Sequence, residues 1–229
     1  HEAVWARVFG LTTAKADPNA PRPPAIFGPD NRAQLMTALA GIDICLWDIK
    51  GKALNQPVWR LLGGSTPKPV PISSIVFGYT SVAEMAKDAA KGVEEQNMRG
   101  YKIKTWKRSM EDVDVIREIR KAVGDDVFLY ADANRVYTPG EAKRVFPYFA
   151  DYDIKMVEDP CRFVSMSDMV NVAAALPMPI LADGWFETPQ DVYNLARIGA
   201  IGATGLFLSL ILPYAALVSL PAPIRLSAL

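Results

Sequence analysis

The chain has 229 residues, half of them hydrophobic, which is enough for one large or two modest domains with a sizeable core. Its 25 Lys and Arg balance its 25 Asp and Glu, so neither a basic nucleic-acid-binding surface nor an acidic tail is expected. The two cysteines, Cys45 and Cys161, form no close pair, which predicts a reducing cytoplasm and no disulfide framework.

The first part of the chain predicts helices. Residues 15–31 are rich in proline and form a loop, and Asp30 or Asn31 can cap a helix that runs to about residue 50. In that helix, apolar residues recur at helical spacing. A second, short helix begins at Pro57 and stops at Gly63-Gly64.

Beyond this region, predicted strands and helices alternate. The strands cover residues 71–77, 101–105, 127–132, 154–158, 180–183 and 203–208. The helices cover residues 82–96, 111–123, 139–149, 166–175 and 189–198. Such alternation is typical of a parallel sheet covered by helices, and five or six successive units favour a barrel over an open sheet.

The barrel is expected to be incomplete. A full eightfold barrel takes about 250 residues, whereas only 160 remain from residue 70 onward. We therefore predict a helical domain over 1–66, about five to six βα units over 67–208 and an atypical tail over 209–229. The tail lacks the polar face that an outer barrel helix needs, which raises the hypothesis that it is non-native. The apolar stretch Leu206–Leu220, which overlaps the start of the tail, is too short for a membrane span and contains Pro213.

Three acids recur with the period of the βα units. Asp132, Glu158 and Asp183 lie 26 and 25 residues apart, and each ends a short apolar run. A single Asp after a strand usually caps a helix or makes a turn. A periodic set instead places three carboxylates at the same end of adjacent parallel strands, where they repel one another unless a cation neutralises them. The pattern predicts a hard metal ion with oxygen ligands.

Two lysines precede the first acid by one strand. Strand alternation puts Lys102 and Lys104 on one face, with Ile103 opposite. Neighbouring ammonium groups disfavour each other's charge, and a Lys with a lowered pKa can act as a general base. The alternative is a pair of solvated lysines on an edge strand. Asn134, two residues after Asp132, either contacts a ligand or forms a turn.

Two sets of residues carry a resemblance to a known family. They are Ala38–Lys52 with Pro57 and Leu61–Gly64, and then Lys102-x-Lys104, Asp132-x-Asn134, Glu158-Asp159-Pro160 and Asp183. The first set is similar to the capping-domain helices of the mandelate racemase and muconate lactonizing enzyme family, which belongs to the enolase superfamily. The second set matches the barrel motifs of that family in order and spacing. The resemblance covers roughly residues 30–200.

The resemblance implies an α/β fold in which the helical part of an α+β capping domain precedes a partial (β/α)8-type, TIM-like barrel. It implies Mg²⁺ bound by Asp132, Glu158 and Asp183. It further implies that Lys104 abstracts the proton α to a carboxylate, with Lys102 tuning it and the metal stabilising the enediolate, as is usual in this superfamily.

The chain departs from the family pattern in two places. Gly184 follows Asp183, where the family often has Glu, and Glu187 is a weaker alternative ligand. The family has a second acid or base, a Lys or a His-Asp pair, on later strands. Here no Lys follows Lys155, and the only His is His1.

These residues predict a Mg²⁺-dependent enzyme that acts on a small carboxylate, as an acid-sugar or hydroxy-acid dehydratase or as a racemase or epimerase. One alternative is a catalytically incompetent, truncated homologue that binds metal only. Another is a phosphate-binding barrel enzyme, which needs glycine-rich loops after the last strands that this chain lacks. We expect a homo-oligomer, with neither nucleic acid nor a membrane as a partner.

Overall fold

The computed structural model describes residues 32–65, 71–78, 80–162, 165–184 and 189–204. The described residues divide into two compact units, one over 32–65 and the other over the described ranges from residue 71 to 204. The first unit is helical, and the second contains the six strands of the described part of the chain. The predicted loop over 15–31 with its capping residues, the alternative ligand Glu187 and the tail over 209–229 lie outside the described residues.

The helical unit contains the two predicted helices. Helix α1 (Arg32–Leu54) runs four residues beyond the predicted end and stops at Asn55, whose φ of 48° is left-handed. Helix α2 (Val58–Leu61) follows Pro57, which occupies the N-cap position. Gly63 ends it with a φ of 92°, a conformation that glycine adopts without strain. No helix in the described part of the chain is long and apolar enough to cross a membrane.

The second unit alternates strands and helices as predicted. Its elements are β1 (Ser74–Val76), α3 (Val82–Gln96), β2 (Gly100–Lys104), α4 (Glu111–Val123), β3 (Phe128–Asp132), α5 (Pro139–Val145), β4 (Ile154–Glu158), α6 (Met166–Ala175), β5 (Ile180–Ala182), α7 (Pro189–Arg197) and β6 (Ala203–Thr204). The six strands pair in parallel, in chain order, in one sheet. Each helix therefore returns the chain to the start of the next strand.

Local sequence explains where several of these helices begin. Ser81 and Thr138 each accept a hydrogen bond from a backbone N–H three residues later, and Glu84 and Glu141 return the bond to complete capping boxes. The predicted helix over 139–149 is shorter, because the chain continues from Val145 as a 3₁₀ helix over Phe146–Tyr152. Pro147, near the start of that segment, lacks the N–H that α-helical pairing requires.

The core lies between the sheet and its helices. Fully buried apolar side chains come from β2, β3, β4, β5 and α4, and they are Ile103, Leu129, Val157, Ile180, Ile116 and Ile119. This packing fixes the strands relative to one another, so residues at their carboxyl ends are held at defined positions.

Arg120 on α4 joins the amino ends of two strands. Its buried guanidinium donates hydrogen bonds to the carbonyl of Tyr152 (3.0 Å), two residues before β4, and to that of Val127 (2.8 Å), directly before β3. It also donates to the carbonyl of Gly124 at 2.8 Å and to that of Asp153 at 3.2 Å. These carbonyls lie outside the strand ladders and gain their partner from one side chain.

We predict that Arg120→Met lowers the free energy of unfolding by about 3 kcal/mol, because several partly buried carbonyls lose a charged donor. Urea denaturation measures this change. The matched control is Arg117→Met on the same helix, where the side chain is 46% exposed and the expected change is below about 0.5 kcal/mol. Equal losses in the two variants would contradict the role assigned to Arg120.

Candidate active site

The sheet register brings the predicted acids together. Asp132 and Glu158 are the last residues of β3 and β4 and lie opposite each other, while Lys104, the last residue of β2, lies opposite Asp132. Glu158 pairs with Leu181 on β5, and Asp183 follows that strand directly. The three acids therefore lie at the carboxyl ends of three adjacent parallel strands, as the spacing predicted.

The two lysines point toward these acids. Lys102 Nζ lies 2.7 Å from Glu158 Oε2 and 3.5 Å from Asp132 Oδ2. Lys104 Nζ lies 2.5 Å from Asp132 Oδ2. Both side chains are largely buried, and β2 lies between β1 and β3. The alternative of two solvated lysines on an edge strand is therefore wrong.

Asn134 and Trp106 surround the ammonium group of Lys104. Asn134 Oδ1 accepts a hydrogen bond from Lys104 Nζ at 2.7 Å and another from Trp106 Nε1 at 3.1 Å. Lys104 Nζ also lies 5.7 Å from the centroid of the Trp106 ring. The backbone of Asn134 has a φ of 44°, so this residue both forms the turn and contacts the lysine. Trp106 is not among the predicted site residues, although its position two residues after Lys104 was a signal.

Burial and, to a lesser extent, mutual repulsion raise the pKa values of two of the carboxyl groups. Burial, followed by the charge of Asp132, raises the pKa of Glu158 to about 8, and the hydrogen bond from Lys102 offsets only part of this effect. Burial and, less strongly, Asp132 also raise the pKa of Asp183, which shares a side-chain hydrogen bond with Glu158. The three acids thus lie close enough to oppose one another's ionisation.

The pKa of Lys102 is raised, although a neighbouring ammonium group was expected to lower the pKa of at least one of the two lysines. Burial acts to lower the pKa of Lys102, but the hydrogen bond to Glu158 and the charges of Glu158 and Asp132 outweigh it and raise the pKa overall. The acidic partners, rather than the second lysine, therefore determine its protonation in this structure.

The donor set fits a hard divalent cation. Within the described ranges, no three His, Cys, Asp or Glu side chains form a ready-made metal cluster, and Asp132 and Glu158 contact the lysines. Asp132, Glu158 and Asp183 nevertheless offer only carboxylate oxygens, the ligands that Mg²⁺ prefers. A divalent cation would also offset the burial and the repulsion that raise the pKa values of Glu158 and Asp183. Their role as metal ligands stays a prediction.

A further buried acid, Asp159, faces a different direction from Glu158. Its Oδ1 accepts the backbone N–H of Asp183 at 3.0 Å, and its Oδ2 accepts that of Gly184 at 2.9 Å. It is 2% exposed and lies within ion-pairing distance of Arg135. Asp159 belongs to the Glu158-Asp159-Pro160 motif, but no role was predicted for it.

Asp112 and Tyr137 join the loops that follow β2 and β3. Asp112 Oδ2 accepts the backbone N–H of Lys107 at 2.8 Å and of Arg108 at 3.1 Å, as well as the hydroxyl of Tyr137. Arg108 also binds Glu141 through both carboxylate oxygens. These contacts hold the segment that follows Lys104.

Two protein-family models match the chain. Residues 84–207 match the model described as enolase C-terminal domain-like. Residues 25–63 match the N-terminal domain of mandelate racemase and muconate lactonizing enzyme.

Alignments with curated relatives cover most of this chain but less than half of each relative. An arabinonate dehydratase from Saccharolobus solfataricus is 31% identical over 174 residues, 74% of this chain and 46% of that protein. A hydrophobic dipeptide epimerase from Enterococcus faecalis is 31% identical over 164 residues, 72% of this chain and 46% of that protein. The chain thus spans about half the length of the curated relatives it matches.

A solved structure shares the fold. The crystal structure of an enolase from Bradyrhizobium complexed with magnesium and mandelic acid has a TM-score of 0.68 and 26% identity, covering 76% of this chain and 48% of that one. The six-stranded parallel sheet is therefore the predicted part of a TIM-like barrel.

The raised pKa of Glu158 predicts that the metal-free protein loses stability as the pH rises. The folded chain keeps this proton up to about pH 8, whereas the unfolded chain releases it near the ordinary value of 4.5. Between these values the folded state binds more protons, so the free energy of unfolding falls with increasing pH. Urea titrations in EDTA between about pH 5 and pH 8 measure this slope. Glu158→Gln, which cannot titrate, should flatten it, and a slope unaltered by that substitution would contradict the assignment.

Proposed function

Because the chain belongs to the mandelate racemase and muconate lactonizing enzyme family of the enolase superfamily, we propose that it removes the proton α to the carboxylate of a small substrate. The reaction class is dehydration of an acid sugar or hydroxy acid, or racemisation or epimerisation. The observation that carries the proposal is the contact of Lys104 Nζ with Asp132, at the strand ends that also carry Glu158 and Asp183.

Lys104 is the proposed base. Its Nζ lies at the carboxyl end of β2, and Asn134 and Trp106 fix the position of the amine. A proton α to a carboxylate is very weakly acidic, so a fixed base must act together with positive charge on the substrate oxygens. Mg²⁺ bound by Asp132, Glu158 and Asp183 would supply that charge.

Lys102 is proposed to keep Lys104 reactive. In this structure both lysines contact Asp132, and the acids favour the charged form of Lys102. A divalent cation would engage the carboxylate that Lys104 now contacts, and the charged Lys102 would remain beside the amine of Lys104.

Asn134 is the proposed substrate-binding residue. Its Oδ1 already accepts two hydrogen bonds, from Lys104 and Trp106, which fixes the orientation of the carboxamide. The remaining amide N–H groups are donors suited to a substrate oxygen. Assembly into a homo-oligomer and a location in the cytoplasm stay predictions.

We predict that Lys104→Ala abolishes exchange of the α-hydrogen. Wild-type protein with Mg²⁺ is incubated in D₂O with a panel of acid sugars and amino acid derivatives, and deuterium incorporation is followed by ¹H NMR. Loss of the base should slow exchange by about 100-fold or more. Lys155→Ala is the matched control, because this lysine lies on β4 with a 45% exposed side chain paired to Asp153.

Exchange that survives Lys104→Ala would refute the assignment of the base. Mg²⁺ binding by the wild type without exchange of any substrate in the panel would favour the alternative of a homologue that binds metal only.

We also predict that Mg²⁺ stabilises the protein. A ligand present at 100 times its Kd and specific for the folded state adds about 2.7 kcal/mol to the free energy of unfolding. Asp132→Asn should remove most of this gain, because it replaces a charged ligand oxygen with a neutral one. Urea denaturation with MgCl₂ and with NaCl at equal ionic strength separates binding from screening, and equal stability in the two salts would exclude a Mg²⁺ site.

A further inference from the structure

Asp159 fastens the loop after β5 to the end of β4. Its carboxylate accepts the backbone N–H groups of Asp183 at 3.0 Å and Gly184 at 2.9 Å. The side chain is almost fully buried, so these bonds form where water competes poorly. Two bonds from one carboxylate fix the peptide planes on both sides of the Asp183 Cα, and thereby the direction of its side chain.

Arg135, in the loop after β3, contacts both Asp159 and Gly184. Its Nε lies 3.7 Å from Asp159 Oδ2, and its Nη1 donates to the carbonyl of Gly184 at 3.2 Å. Its backbone N–H donates to the carbonyl of Asp159 at 2.8 Å. Arg135 and Asp159 together therefore connect the loops that follow β3, β4 and β5.

Gly184 leaves no space for a side chain. A Cβ at this position would lie 2.9 Å from Asp159 Oδ2 and 3.0 Å from Arg135 Cζ. Such distances are too short for ordinary contact, so any larger residue would displace the carboxylate or the guanidinium.

The backbone around these contacts adopts unusual conformations. Asn134, Arg135 and Asp159 have φ values of 44°, 64° and 40°, in the left-handed region that residues with a Cβ rarely occupy. Strain of this kind persists where the surrounding contacts fix it, and it concentrates at functional sites.

We propose that Asp159 and Arg135 are positioning residues that orient the carboxylate of Asp183 toward Asp132 and Glu158. The proposal rests on the metal-binding function proposed above. A free loop could turn Asp183 away from the other two acids, whereas the fastened loop holds its carboxyl group beside that of Glu158, with which it shares a hydrogen bond. The arrangement thus lowers the entropy lost when the cation binds.

The test measures the Kd of Mg²⁺ alone by isothermal titration calorimetry, together with the free energy of unfolding. Asp159→Asn keeps the shape but replaces one acceptor oxygen with an amide, so one of the two N–H groups loses its partner. We expect the Kd for Mg²⁺ to rise at least about tenfold, as for other residues that orient metal ligands. Asp159→Ala, which removes both acceptors, should raise it further.

Arg120→Met is the control for a loss of stability. Arg120 is also buried and binds backbone groups, but these lie at the amino ends of β3 and β4, away from the ends that carry the acids. Both variants should lose stability, and only Asp159→Asn should lose affinity for Mg²⁺. An unchanged Kd in Asp159→Asn, or equal losses of affinity in the two variants, would overturn the positioning role.

A double-mutant cycle tests the contact with Gly184. Gly184→Ala should weaken Mg²⁺ binding strongly in the wild type and less in an Arg135→Ala background, where the added methyl group meets fewer atoms. Additive effects would overturn the role of Arg135. Failure of the wild type to bind Mg²⁺, or unaltered binding in Asp132→Asn, would instead overturn the proposed metal site together with this inference.

Discussion

The repulsion among three converging carboxyl groups is the constraint on which this site depends. Parallel pairing in chain order places Asp132, Glu158 and Asp183 at neighbouring strand ends. Buried carboxylates at such distances cannot all ionise without compensating positive charge. In this structure Lys102 and Lys104 provide that charge, and Glu158 retains a proton to near pH 8. The repulsion among the carboxylates can thus be reduced in three ways: by the lysines, by a bound proton or by the proposed cation.

This constraint explains why the surrounding loops are fastened by buried polar side chains. Repulsion would otherwise push the loops apart, and each loop carries or adjoins one of the acids. Asp112 and Tyr137 join the loops after β2 and β3, while Asp159 and Arg135 join those after β3, β4 and β5. Most of these contacts end on backbone groups, so they fix the direction in which the neighbouring side chains point.

The sequence predicted those features that depend on local pattern or on strand period. Alternation placed Lys102 and Lys104 on one face, and recurrence of the βα unit placed the acids at one sheet edge. The 3₁₀ segment at Phe146 and the roles of Trp106 and Asp159 were missed. Asp159 shows why: its partners lie 24 and 25 residues away, on a loop whose course is set by tertiary packing. Trp106 likewise gains its role from Asn134, on a different loop.

The balance of charge among the acids and lysines also bears on metal binding. If all five groups were ionised, the three acids and two lysines would leave one negative charge in excess, which favours retention of a proton. A divalent cation would reverse the excess, so retention of the proton on Glu158 would become less favourable. The lysines and the proposed cation would therefore compete for the same carboxylates. The hydrogen bond from the backbone N–H of Asp183 to Asp159 ties the third acid into this balance, because it connects the loop after β5 to the end of β4.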